Sequence, residues 1–153
     1  MIRFLRSLRR DERGASIIEM ALVTPVLASL LIGMVDISRA YAARLQLEQA
    51  AQRAIEKVMQ YQANSSTYST LYLEASSAAG VPVDQVTVDY WLECNGVRSD
   101  AYDVACPSGQ TYARYVTVSI DKDFTPMFGT AYFPGANSDG SYTLTGEAGL
   151  RTQ

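Results

Sequence analysis

The chain has 153 residues, 48% of them apolar and 19% charged, with a net charge of −3. That length holds one domain and an additional element, and the composition excludes a disordered polyelectrolyte. Histidine is absent, which removes the Ser-His-Asp and Cys-His nucleophile arrangements and the commonest metal ligand together.

The charge is unevenly placed. Arg3, Arg6, Arg9, Arg10 and Arg13 stand against only Asp11 and Glu12 in residues 1–14, while the rest of the chain is acidic. A nucleic-acid binder needs its basic patch on the folded domain, so no nucleic acid is expected. A basic start before an acidic body instead fits a chain held across a membrane with the basic end inside.

The segment that follows supports this. Met20 to Val35 carries no charge, and Ile17 to Ile37 makes 21 residues, about 31 Å as a helix and close to a bilayer core. No basic residue occurs between Arg13 and Arg39, which places the N-terminus in the cytoplasm. Pro25 lacks a backbone donor and predicts a kink, which membrane helices tolerate. Asp36 and Arg39, three apart, are expected to pair on one helix face where the chain emerges into water.

Glu19 is the exception inside this apolar stretch. A carboxylate at hydrocarbon depth is expensive and therefore functional by default; near the helix start it is also favoured by the dipole. Two cleavage sites compete around the segment. Ala40-Tyr41-Ala42 has the small-x-small pattern of signal peptidase sites, but the run before it is long and interrupted by Glu19 and Pro25. The other is Gly14-Ala15, with Glu19 the fifth residue after the break.

The stretch "RGASIIEMALVTPVLASLLIGMVDISRA" resembles the N-terminus of TadE-like proteins, minor pseudopilins of the tight-adherence (Flp-type) pilus machinery. The resemblance rests on Gly14, Glu19, the Ala-Leu-Val-x-Pro at residues 21–25 and the Gly-x-x-Asp-x-x-Arg at residues 33–39. Ala15 stands where type IV pilins and type II secretion pseudopilins typically have Phe. Met20 replaces the Tyr usual in major Flp pilins, which are also much shorter. The resemblance implies that a prepilin peptidase cuts after Gly14, that the mature chain begins at Ala15, and that Glu19 and Pro25 serve assembly. It further implies the inner membrane, other pseudopilins or pilins and the pilus assembly platform as partners. Cutting after Gly14 exposes an ammonium on Ala15, and Glu19 lies one helical turn away on the same face. A carboxylate–ammonium pairing within or between subunits would fix register.

Residues 40–62 contain no Gly or Pro and many helix formers, so the membrane helix is expected to continue to about residue 62. Tyr41, Leu45, Ala51, Ile55, Val58 and Gln62 are read as its apolar stripe. The stretch "ANSSTYST" at residues 63–70 reads as a polar loop, and residues 68–79 as a short helix ended by Gly80 and followed by Pro82. Beyond it the period changes to two. Val86, Val88, Tyr90, Leu92 and Cys94 share one strand face, Val116, Val118 and Ile120 a second, and Tyr142, Leu144, Ala148 and Leu150 a third. Three one-sided strands need a cover, and the long helix supplies it.

The expected fold is therefore α+β and pilin-like: a long N-terminal transmembrane helix continuing into a helix packed on a small antiparallel sheet. The expected divisions are 1–14 leader, 15–38 membrane helix, 39–63 extension and 64–153 extracytoplasmic head. Cys94 and Cys106 are too widely spaced for CxxC and too few for a zinc site. Outside the cytoplasm they would form a disulfide; inside it they would be two thiols. Residues 94–111 and 125–140 read as loops, the second with Met127, Phe128, Tyr132 and Phe133 either capping the sheet or docking a partner. Asp121, Asp123 and Asp139 lack EF-hand spacing, and the ten tyrosines read as strand formers and surface aromatics. No metal, cofactor or catalytic residue is expected. The alternative reading is an uncleaved single-span protein with an outer binding domain.

Overall fold

A computed structural model describes residues 12–60, 68–99, 101–127 and 135–152, with backbone alone for 12–15. Gln62, Phe128, Tyr132, Phe133 and most of the basic leader lie outside the described residues. The chain divides into two compact units, Met1–Ser38 and Arg39–Gln153.

The first element, α1, is a helix from Glu12 to Gln60. Its backbone stays helical through Pro25, although that residue has no N–H to give the Ala21 carbonyl. A second helix, α2, runs from Leu71 to Ala79 and stops at Gly80, whose φ of 64° is left-handed and whose N–H closes on the Ser76 carbonyl at 2.9 Å. That position needs glycine because a Cβ strains the left-handed conformation. A 3-10 turn at Val83–Gln85 then leads into the strands.

The sheet has four strands, β1 (Val86–Cys94), β2 (Val97–Ser99), β3 (Tyr112–Phe124) and β4 (Tyr142–Arg151), in the order β2-β1-β3-β4. All pairings are antiparallel. The sequence reading has three of these strands and misses β2. Asn95 and Gly96 carry φ values of 49° and 79°, the two-residue hairpin geometry that Asn-Gly favours, so the chain turns back at once and adds a short edge strand.

Within the unit Arg39–Gln153 the core forms between the sheet's inner face and the two helices. Val116, Val118 and Ile120 of β3 are fully buried, with Val86 and Leu92 of β1 beside them. From α1 come Leu47, Ala50, Ala51, Ala54, Ile55 and Val58, and α2 adds Leu71 and Ala75. Ala51, Ile55 and Val58 of the expected stripe are buried as expected, but Leu47, Ala50 and Ala54 share that face and the stripe's first two residues do not. Tyr41 and Leu45 are exposed, while three alanines occupy the contact face. Small residues let a helix approach a sheet closely, and here the approach is extreme. A Cβ built on Gly146 of β4 would lie 2.5 Å from the Glu48 nitrogen and from the Leu47 carbonyl carbon. Gly146 is required for space, and its φ is unremarkable. An ion pair between Lys57 and Glu74 joins α1 to α2 at the surface.

Tyr68 and Tyr102 are core residues, contrary to the surface role expected of the tyrosines, and Tyr90, expected on the apolar face of its strand, packs against that core. Tyr68, Tyr90 and Tyr102 pack with ring centroids 5.2–5.3 Å apart, and the Tyr68 and Tyr102 hydroxyls bond at 2.6 Å. Burial, then the bond to Tyr102, hold the Tyr68 hydroxyl above the ordinary phenol value of 10.0, so it stays protonated around neutral pH. The sheet's outer face is closed by a stack of Arg98, Trp91 and Tyr115. The guanidinium sits 4.7 Å from the Trp91 ring and the two aromatic rings are 5.2 Å apart. Arg98 also donates two 3.0 Å bonds to Asp89.

Candidate assembly segment

The residues with predicted functional roles concentrate in the first half of α1. Helical side chains project around a cylinder at 100° per residue, so an apolar run without polar gaps leaves no hydrophilic face. Ile17, Ile18, Met20, Leu22, Val23, Val26, Leu27, Leu30, Leu31, Met34, Val35 and Ile37 are all exposed, from 44% to 73%. Left in water, these twelve side chains would forgo on the order of 20 kcal/mol of burial free energy, more than a domain's typical net stability. They require lipid or protein around them. The helix is long and apolar enough to cross a membrane, with a mean hydropathy of 2.1 in its most apolar window.

The polar side chains of the segment are compatible with hydrocarbon. Thr24 donates to the Met20 carbonyl at 2.7 Å, Ser29 to Val26 at 2.8 Å and Ser38 to Met34 at 2.9 Å. Each hydroxyl is satisfied by its own helix. Glu19 is exposed among these apolar residues. Gly14 and Ala15 lie in the helical backbone before it, so residue 15 and Glu19 are separated by one turn. Pro25 sits six residues beyond Glu19, inside the helix. Ala40-Tyr41-Ala42, the competing cleavage pattern, also lies within α1.

Asp36 and Arg39 depart from the expectation of a helix simply emerging into water. Asp36 is only 8% exposed, the one buried charged side chain among the described residues. Arg39 lies over the Phe124 ring at 5.5 Å, tying the start of the outer helix to the end of β3. The spacing of the two residues was visible in the sequence, but the burial of Asp36 and the place of Arg39 over Phe124 are not encoded by spacing.

At the far end of the sheet, Cys94 and Cys106 form a disulfide with Cα atoms 5.7 Å apart, a normal separation. The loop it closes carries buried Tyr102. Arg114 holds that loop by donating to the Tyr102 and Val104 carbonyls, each at 3.3 Å. A groove of about 400 Å³ beside it is lined by Leu92, Val104, Pro107, Tyr112 and Arg114.

Asp121, Asp123 and Asp139 are engaged separately. Asp121 accepts from Thr145 at 2.6 Å and Asp123 from Thr143 at 2.9 Å. Asp139 accepts the Ser141 hydroxyl at 2.7 Å and its N–H at 2.9 Å, bonds that hold its carboxyl below the usual range. No cluster of three metal-ligating side chains occurs among the described residues. Met127, one of the residues considered for capping or docking, is exposed.

Residues 14–55 match the model of a family described as TadE-like protein, the family that the N-terminal stretch resembles. The match begins at Gly14 and runs through the apolar segment into the core-forming part of α1. No curated protein and no solved structure matches the chain.

Proposed function

We propose that this protein is a minor pseudopilin that takes part in assembling a tight-adherence (Flp-type) pilus. A prepilin peptidase removes the basic leader after Gly14, and the apolar half of α1 stays on the mature chain. The N-terminus faces the cytoplasm, and the head stands outside the inner membrane, where the Cys94–Cys106 disulfide is chemically at home. Its partners are the peptidase, neighbouring pilins or pseudopilins and the assembly platform. Its role is structural, without catalysis or a cofactor. The observation that carries this reading is the coincidence at the N-terminus. The TadE-like match starts at Gly14, and one turn past Ala15 an exposed carboxylate stands within the apolar stretch of α1 at residues 17–37.

Glu19 then has a specific task. The ammonium released on Ala15 is a cation at the end of an apolar helix, and a carboxylate one turn along neutralises it or its counterpart on a neighbour. Removing one partner of a buried pair costs about 3 kcal/mol. Glu19→Ala should therefore reduce co-isolation of the protein with pili or the assembly platform by roughly a hundredfold, while membrane insertion is unchanged. Immunoblotting of membrane and sheared-pilus fractions reads both quantities. Undiminished co-isolation of Glu19→Ala would contradict the proposed role.

A further inference from the structure

Two contacts set the direction of the sheet against the outer half of α1. Arg39 lies over the Phe124 ring at 5.5 Å. Gly146, opposite Ile120 in the β3–β4 register, lies against Leu47 and Glu48. From Arg39 to Glu48 the helix rises about 13.5 Å, and from Phe124 back to Ile120 β3 covers about 13.5 Å. The two lengths agree, so β3 runs along α1 in the opposite direction and ends beside Arg39. The connection from β3 to β4 leaves the head at that end, where Phe124 pairs with Tyr142. The β1–β2 hairpin and the disulfide lie at the other end with Tyr112, about 40 Å away along β3.

Arg39 is also where the apolar stretch gives out. It follows Ile37, the last exposed apolar residue of that stretch, by two positions, about 3 Å along a helix. Helical side chains lean towards the N-terminus, which here is the direction of the hydrocarbon. The headgroup layer is about 5–7 Å thick on each side of a bilayer core, so Arg39 and the Phe124 ring it covers fall within that layer. The other side chains at this end suit the same surroundings. Met127 is 65% exposed and, three residues past Phe124, lies within about 10 Å of it. Tyr41, two residues past Arg39, is 64% exposed, and Phe124 and Tyr142 are half-buried. Tyrosine is enriched at membrane–water interfaces, and arginine there keeps its stem in apolar surroundings and its charge among the headgroups.

We propose that this end of the head, formed by Phe124, Met127 and Tyr142 with Arg39 and Tyr41 of α1, rests in the headgroup layer of the membrane that α1 enters, with zwitterionic phospholipid as its partner. Continuity selects the occupant, because the helix that carries Arg39 is already at hydrocarbon depth two residues earlier. Charge selects the lipid. Asp121, Asp123 and Asp139 stand near this end with Lys122, so nothing draws it to an anionic surface and the contact is made by apolar and aromatic groups. The β3–β4 end of the head is then a second membrane contact beside the helix. It rests on the membrane span, and neither leader cleavage nor entry into a pilus is needed for it.

Full-length protein in phosphatidylcholine vesicles tests this with an environment-sensitive fluorophore on Met127→Cys. The native cysteines are paired with each other, so the new thiol alone takes the label. Val97→Cys, 69% exposed in β2, is the comparison at the far end, and Met34→Cys marks the span. Quencher lipids in both leaflets make the direction of insertion immaterial. A headgroup nitroxide should quench residue 127 roughly threefold more than residue 97, which stands about 40 Å away along the sheet, and the emission at 127 should be blue-shifted. An acyl-chain nitroxide should quench residue 34. Equal headgroup quenching at 127 and 97 would overturn the proposal, while quenching at 34 would leave the span standing. A blue shift at 127 without quenching would overturn it as well, because protein and not lipid would then cover the residue. Absence of quenching at 34 would remove the span itself and the proposal with it.

Discussion

Gly146→Ala is expected to destabilise the head by about 3 kcal/mol, the upper end of the usual cost of overpacking. The added methyl would fall 2.5 Å from backbone atoms of Leu47 and Glu48, and neither can move without shifting α1 across its whole contact face. That face consists of Ala50, Ala51, Ala54, Ile55 and Val58, so displacing the helix also opens gaps beside residues that have no reach to fill them. A head of this size has a net stability of roughly 5–15 kcal/mol, and such a loss is a large share of it. Gly149→Ala, three residues along the same strand, is the internal comparison. Its methyl meets only ordinary contacts at 3.5 Å or more, and its effect should stay within about 0.5 kcal/mol. Urea unfolding of the detergent-solubilised chain, followed by the fluorescence of its one tryptophan, should show the Gly146→Ala midpoint lower by about 2 M. Equal midpoints for the two variants would mean that α1 does not seat on β4 as described.

The second large effect is expected at the disulfide. Cys94 and Cys106 close a loop with a sequence separation of 12, and the chain-entropy model gives such a closure about 3 kcal/mol. The loop delivers Tyr102 to Tyr68 and Tyr90 and is held from below by Arg114. Reduction frees the unfolded chain, so the penalty appears as reduced stability of a still-folded head. Cys94→Ser with Cys106→Ser should lower the urea midpoint by about 2 M. Dithiothreitol should do the same to the wild-type chain and nothing further to the double variant. Unchanged stability on reduction would remove the disulfide from the account of the head, and with it one chemical reason for placing the head outside the cytoplasm.

The parts of this protein that were legible in its sequence are those where one physical signal acts alone. Val116, Val118 and Ile120 alternate with polar residues because the sheet has one dry face and one wet face, and that period survives any tertiary detail. The apolar run from Ile17 to Ile37 needs only its length. Ala51, Ile55 and Val58 of the expected helix stripe are core, but Ala50 and Ala54 were missed because they register as helix formers and not as core. What makes them core is the glycine opposite them, nearly a hundred residues away in sequence. β2 was overlooked although Asn95-Gly96 signals a hairpin, since three residues carry no alternation. Buried Tyr68 and Tyr102 are indistinguishable in sequence from surface tyrosines, because only the disulfide loop and the start of α2 bring them together. Of the assembly segment, the residue types and spacing were legible throughout, whereas the burial of Asp36 and the stacking of Arg39 on Phe124 were not.

The central claim, that the chain is a processed pseudopilin, is tested most directly by the mass of the mature N-terminus in protein isolated from host membranes. The account predicts a chain beginning at Ala15, with this start lost when Gly14 is replaced. A chain that keeps Met1 would contradict prepilin-type processing and leave a single-span protein with an outer binding domain. A start at Ala43 would contradict the membrane-held architecture itself and remove Glu19 from the mature protein.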